Sequence, residues 1–217
     1  MGVSDKKIVI IDYGLGNLFS VKHVCEVLGF NPIVSDNPKE LKNADGLILP
    51  GVGAFKAAMD SLVTSGMADA ILDCVALKKP LMGVCLGLQL LFDESEEFDN
   101  CKGLGLIAGS VRKIPINNAK GFNHKVPQIG WNTIYSRNNQ NWVNSPLENI
   151  DANEFMYFVH SYYVLPKFET NVLTVTNYNQ FEYCSSILKD NIFAAQFHPE
   201  KSGENGVEIY KNWLTNL

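Results

Sequence analysis

The chain has 217 residues, 46% of them hydrophobic and 19% charged, so it can bury a sizeable core and is not disordered in bulk. Its net charge of −5, with Lys and Arg scattered along the chain, speaks against nucleic acid or an anionic membrane surface as the main partner. No apolar run approaches the ~18 residues of a membrane span, and the N-terminus leads into a short strand rather than the core of a signal peptide. Five widely spaced cysteines without a C-x-x-C pair indicate neither a disulfide framework nor a zinc site, and the expectation is a reduced, cytoplasmic protein.

The first half alternates short apolar runs with segments of helical spacing. Residues 8–11 are a β-branched run ending in the turn Asp12-Tyr13-Gly14-Leu15-Gly16. Asn17 is placed to cap a helix on which Leu18, Val21, Val24, Cys25 and Leu28 share a face, closed by Gly29. Ile33-Val34 and Leu47-Ile48-Leu49 read as the second and third strands, the latter ending in Pro50-Gly51-Val52-Gly53. Helical segments run from 54 to 77 with a break near Ser65-Gly66, and Pro80 precedes a fourth strand that leads to Cys85. Short strands separated by helices imply parallel β-α units.

Beyond Phe92 the runs are strand-like, over 104–107, 111–114, 155–159, 172–176, 183–188 and 192–196, and an amphipathic helix over 206–217 ends the chain. Residues 117–125, with His124, and 136–144 read as surface loops. Without a linker or repeat, one domain over 1–217 is expected: α/β, with a central mixed, mostly parallel sheet flanked by helices. In such a sheet ligands gather at the carboxyl ends of the strands, where the turns after Ile11, Leu49 and Val84 all lie.

Gly83-Val84-Cys85-Leu86-Gly87 stands between a buried strand and a helical run, and is the thiol counterpart of the elbow that presents a nucleophilic serine. A Cβ in place of either glycine would clash where backbone meets backbone, and the cysteine falls at a helix N-terminus, which favours the thiolate. A lone free cysteine is more often a small buried hydrophobe, so the reading needs a base. Of four histidines, His23 lies within the first helix and His124 in a polar loop, while His160 and His198 each follow an apolar run. His198 is the better base, because Pro199 restricts it to extended backbone and Glu200, two residues on, can orient the imidazole. Leu86 N–H and the Pro50–Gly53 turn are sources of oxyanion donors.

With those residues in hand, Gly-Val-Cys-Leu-Gly-Leu-Gln (83–89) and Gln-Phe-His-Pro-Glu (196–200) resemble the signature of class I glutamine amidotransferases. Residues 11–17, 49–55, 157–162 and 197–202 are similar to the glutaminase subunits of imidazole glycerol phosphate synthase, along nearly the whole chain. The resemblance implies a flavodoxin-like fold and hydrolysis of L-glutamine by Cys85, His198 and Glu200. It also implies an oxyanion hole at Val52, Gly53 and Leu86, and a substrate site at Gly51, Gln89, His160, Ser161 and Tyr162, without metal or organic cofactor. The ammonia would pass to a (β/α)₈-barrel cyclase subunit, with Asn17, Trp131, Tyr157 and Lys201 near that partner. The family usually has Pro-His-x before Gly-Trp-Asn, whereas this chain has Pro127-Gln128-Ile129, a change expected close to the partner face. That departure keeps open a paralogue feeding a sugar amidotransferase; a stand-alone γ-glutamyl hydrolase is the alternative of another class.

Overall fold

Every position of β1, Ile8–Ile11, is buried, the mark of a strand covered on both faces. The structure, a computed structural model, describes residues 5–98, 100–117, 124–137 and 142–217. α1 (Leu18–Val27) follows β1, burying Val21, Val24 and Cys25; β2 (Ile33–Ser35) then leads to a single helical turn, α2 (Pro38–Leu41), capped by the Asn37 side chain on Lys39 N–H. β3 (Gly46–Gly51), α3 (Phe55–Thr64), α4 (Met67–Ala76), β4 (Leu81–Cys85) and α5 (Leu86–Leu90) complete the alternating half. The expected break between α3 and α4 is at Gly66, whose φ of +74° suits glycine.

The second half is built of β5 (Phe92–Ser95), β6 (Cys101–Lys102), β7 (Ile107–Lys113), β8 (Gln128–Thr133), β9 (Phe155–His160), β10 (Tyr162–Pro166), β11 (Val172–Tyr178), β12 (Phe181–Lys189) and β13 (Ile192–Ala195), closed by α6 (Gly203–Thr215). Among the described residues these make a mixed eleven-stranded sheet in the order β2-β1-β3-β4-β13-β12-β10-β7-β5-β6, with β11 also on β12, and a separate antiparallel ribbon of β8 and β9. The part β2-β1-β3-β4-β13 is parallel. Strand alternation sends Val9, Ile11, Leu47 and Leu49 to one core under α3 and α4. It sends Ile8, Ile10 and Ile48 to another under α1, α6 and the inner side of the β8–β9 ribbon.

Register brings the chemistry together. Gly51 pairs with Cys85 across β3 and β4, and Ala195 pairs with Val84 across β13 and β4. The Pro50–Gly53 turn, the cysteine and the segment after β13 therefore leave the sheet at one edge, as the carboxyl-end rule requires.

Three expectations change. Residues 104–107 and 111–114 are not two strands: β7 runs through Gly109 at φ +140°, where a side chain would overlap the Leu165 carbonyl, so this glycine permits close strand approach rather than a turn. Asn17 precedes α1 without a side-chain cap bond, at φ −84° and ψ 65°. His124 is buried, its ring nitrogens 2.6 Å from Pro115 O and 3.1 Å from Asn179 O, so it is not a surface-loop residue. Of the two expected loops, 118–123 and 138–141 lie outside the described residues.

A side chain on Gly87 would overlap the Leu49 carbonyl, whereas one on Gly29, at φ +85°, meets nothing within 4 Å. Gly87→Ala should therefore lose on the order of 3 kcal/mol in urea unfolding, against about 1 kcal/mol for Gly29→Ala. Equal losses would show that the close approach of α5 to β3 is unimportant.

Candidate active site

Cys85 joins β4 to α5 with φ +55° and ψ −108°, a conformation that costs a non-glycine residue about 1–3 kcal/mol and is over-determined by its surroundings. On one side a Cβ at Gly83 would press on Ala194 Cβ at 2.9 Å, and on the other Gly87 sits against the Leu49 carbonyl. The sulfur is near Gln196 Nε2 at 3.8 Å and Val159 O at 3.9 Å. Beside it the Pro50–Gly53 turn is clamped from below, Tyr13 Oη donating to Pro50 O at 2.9 Å. Gly51 must lack a side chain because Tyr13 Oη fills that space. Val52 is exposed, and Gly53 turns at φ +103°.

His198 lies just beyond β13 with extended backbone (φ −102°, ψ 94°), but the chain then enters a 3₁₀ turn over Pro199–Lys201. Glu200 thus reaches the imidazole by the tight turn, not by the expected run of extended backbone. Nδ1 lies 2.8 Å from Glu200 Oε1, with both side chains almost wholly buried. Nδ1–H donates to the carboxylate, which leaves Nε2 to exchange a proton. Nε2 is buried without a hydrogen-bond partner among the described residues, and Cys85 is its neighbour in the cleft. Burial alone would lower the His198 pKa; interaction with the Cys85 thiolate, and then with Glu200, outweighs it and pushes the pKa up to about 10.

Cys85 and His198 open into a cleft of about 330 Å³, whose lining includes Val52, Gly53, Leu86, Gln89, His160, Ser161 and Tyr162. Gly51 lies beneath it, opposite Cys85. Among the described residues, larger grooves, such as one of about 520 Å³ beside Trp142–Asn153, hold no comparable convergence of carboxylate, imidazole and thiol. Gln89 Nε2 donates to Tyr162 O at 3.1 Å and to Gln196 Oε1 at 3.0 Å, so Oε1 is the atom it retains for a ligand. His160 Nδ1 lies 2.8 Å from the same Tyr162 carbonyl and Nε2 3.1 Å from Tyr183 Oη. Burial pushes its pKa down to about 4, partly opposed by the Tyr162 bond, so it is a neutral structural imidazole at pH 7.

Two residues, Glu97 in the cleft and Gln196 buried beneath it, had no assigned role. Glu97 lines the cleft, accepting Phe55 N–H at 2.7 Å, yet in the acidic run Asp93-Glu94-Ser95-Glu96-Glu97 it reads as one more solvated charge. Gln196 belongs to the quoted Gln-Phe-His-Pro-Glu motif, but nothing local marks its side chain as facing the thiol.

The β8–β9 ribbon sorts the remaining candidates. Met156, Phe158 and His160 are buried, and the alternate residues face outward. Trp131 pairs with Tyr157, the rings 5.9 Å apart and edge-on, and Lys201 Nζ lies 6.0 Å over the Tyr157 ring. Trp131 and Ile129 are more than half exposed. Asn17 stands at the start of α1, which packs on the Pro199–Lys201 turn. Gln128 is not on this outer face: it pairs with His160, is 3% exposed, and its amide lies 3.0 Å from Tyr183 Oη.

The family model for class I glutamine amidotransferases matches residues 9–217. The chain belongs to that family. This amidotransferase is 49% identical over 207 residues to the imidazole glycerol phosphate synthase subunit HisH of Geobacillus sp. (strain WCH70), covering 95% of each chain. It is 44% identical over 208 residues to the protein of the same name from Syntrophotalea carbinolica, covering 95% of this chain and 98% of that one. Among solved structures, one described as a glutamine amidotransferase superposes with a TM-score of 0.71 at 18% identity over 96% of this chain and 99% of that one. PurLQS from Thermotoga maritima gives 0.69 at 19% identity over 98% and 99%. At such identities these two likenesses speak for the fold alone. No helix of the amidotransferase, among the described residues, is long and apolar enough to cross a membrane.

The depressed pKa of His160 has a sign that can be checked. Between its ordinary 6.5 and its folded value of about 4, the unfolded chain binds a proton that the folded chain does not, so stability falls as pH falls. Urea unfolding at pH 7 and pH 4 should show wild type losing on the order of 2–3 kcal/mol more than His160→Asn. Identical losses would mean that His160 is protonated in the folded protein.

Proposed function

We propose that this chain, over 1–217, is the glutaminase subunit of a cytoplasmic imidazole glycerol phosphate synthase, hydrolysing L-glutamine to glutamate and ammonia without a cofactor. The observation that carries the reading is the meeting of Cys85 with the buried His198–Glu200 pair in one small cleft, in a chain with close HisH relatives. His198 Nε2 takes the proton of the Cys85 thiol, and the thiolate attacks the side-chain amide carbon of glutamine. The oxyanion of the tetrahedral intermediate is met by backbone N–H groups of Leu86 and of Val52-Gly53. Imidazolium returns its proton to the departing nitrogen, ammonia leaves, and a γ-glutamyl thioester remains. Water, deprotonated by His198, then cleaves the thioester to give glutamate and the free thiol.

The amino-acid end of glutamine fits the opposite wall. Glu97 offers the carboxylate that suits an α-ammonium, Gln89 offers Oε1, and the His160–Tyr162 backbone flanks them. The outer face of Trp131, Tyr157 and Lys201, with Asn17 beyond it, suits the (β/α)₈-barrel cyclase that would receive ammonia. A different acceptor was suggested by Gln128, but its side chain is buried against Tyr183 and does not shape that face, so the cyclase is preferred.

In the assembled synthase, Cys85→Ala should reduce glutamine-supported product formation on the order of a thousandfold or more and leave ammonia-supported formation within about twofold. Equal loss of both would refute the division of labour between the two subunits. Glu97→Gln should raise KM for glutamine by about tenfold or more with kcat nearly unchanged; steady-state kinetics showing a loss in kcat alone would remove Glu97 from ground-state binding.

A further inference from the structure

Gln196 follows β13, is 0% exposed, and lies two residues before the base. A wholly buried amide needs partners for both of its ends, and here one end is the nucleophile. Which end faces the sulfur follows from a proton count that begins at a main-chain atom. The Tyr162 carbonyl can only accept, so the Gln89 group beside it at 3.1 Å is the NH₂. The second hydrogen of that NH₂ points to Gln196 at 3.0 Å, which must present its oxygen. The Gln196 NH₂ is then the group turned to Cys85 Sγ, at 3.8 Å. One backbone carbonyl thus sets two amide orientations in series.

We propose that Gln196 is a catalytic residue of this site, donating an N–H to the Cys85 sulfur and holding it as the thiolate. This rests on the reading of Cys85 as nucleophile and adds a group to its machinery. The surroundings of the sulfur discriminate between its two protonation states. The neutral thiol donates S–H to the Val159 carbonyl at 3.9 Å. When that proton moves to His198 Nε2, the carbonyl becomes a repulsive neighbour, and the Gln196 N–H becomes a charge-assisted donor. Attack on the substrate spends the sulfur's charge and relaxes the same bond, so Gln196 acts on the resting thiolate and on the thiolate that leaves when the thioester collapses. Gln89 couples this to the ligand, because a group bound at its Oε1 also steadies the NH₂ that orients Gln196.

The test is alkylation of Cys85 in the full chain by iodoacetamide, a small neutral electrophile without the amino-acid end of glutamine, followed by mass spectrometry from pH 6 to 10. The ionisable groups around the sulfur (His198, Glu200, His160, Tyr13 and Glu97) are unchanged in Gln196→Leu, so a difference in that variant belongs to the amide; Gln196→Glu adds a carboxyl of its own. Gln196→Leu should alkylate about tenfold more slowly at pH 7, the size of one hydrogen bond to a charged group, and its rate profile should move to higher pH. Gln196→Glu keeps the shape and still accepts from Gln89, but turns an oxygen to the sulfur, and should also be slowed. If either variant, with the near-ultraviolet circular dichroism of wild type, alkylates at the wild-type rate at pH 7, the assignment of Gln196 is overturned while Cys85 as nucleophile stands. A wild-type Cys85 inert to iodoacetamide across the range overturns both.

Discussion

The carbonyl of Leu49 occupies the space that a side chain on Gly87 would need, and the rest of the site depends on that contact. It allows α5 to lie down directly on the end of β3, so the chain must reverse at the last residue of β4. That residue is Cys85, and its positive φ is the geometric remainder of the fit. Because β3 and β4 are locked in register by the same packing, Gly51 comes to stand beside the cysteine. The strain of about 1–3 kcal/mol stored at Cys85 is small against the burial of α5 and its neighbours, which is why it persists.

Around that point the site is built mostly from uncharged amides and main-chain carbonyls. Gln89, Gln196 and the Tyr162 carbonyl form a buried relay, and His160 is kept neutral on the same carbonyl. Around the sulfur, ionisable groups are few: the coupled thiol, imidazole and carboxylate of Cys85, His198 and Glu200, with the Glu97 carboxylate elsewhere in the cleft lining. Such an arrangement limits the desolvation penalty, since a neutral dipole is far less costly to bury than an ion. It also leaves the dipoles fixed before a substrate arrives, which is the condition under which they act most strongly on a developing charge.

How much of this was legible in the sequence depended on whether the cause was local. The glycines around Cys85, the β-branched run of β1, the apolar run of β3 and the proline after His198 are local signals, and those elements were read correctly. Residues 104–107 and 111–114 read as two runs where β7 is one strand through Gly109, because a glycine between apolar runs fits a break as well as a close strand approach, and only the neighbouring strand decides. Gln128 was misplaced for the same kind of reason: inward or outward facing follows from the pairing of β8 with β9, and the partner strand lies some thirty residues away. Glu97 and Gln196 were passed over because a carboxylate in an acidic run and an amide in a strand carry no mark of what they face across the fold. The turn that joins His198 to Glu200 illustrates a milder failure, in which the pair was right and the backbone that makes it was not.

Tyr157 is the point where the outer ribbon and the active site touch. Its ring belongs to the exposed face, but only its main chain holds the site: the carbonyl accepts His198 N–H at 2.9 Å and the N–H donates to Ser202 Oγ at 3.0 Å. Because the attachment is made by peptide atoms, it survives any change of side chain that keeps the strand. The surface can thus be rewritten over generations, residue by residue, while the His198 backbone beneath stays in register. A scaffold with this separation can acquire new associates without reinventing its chemistry.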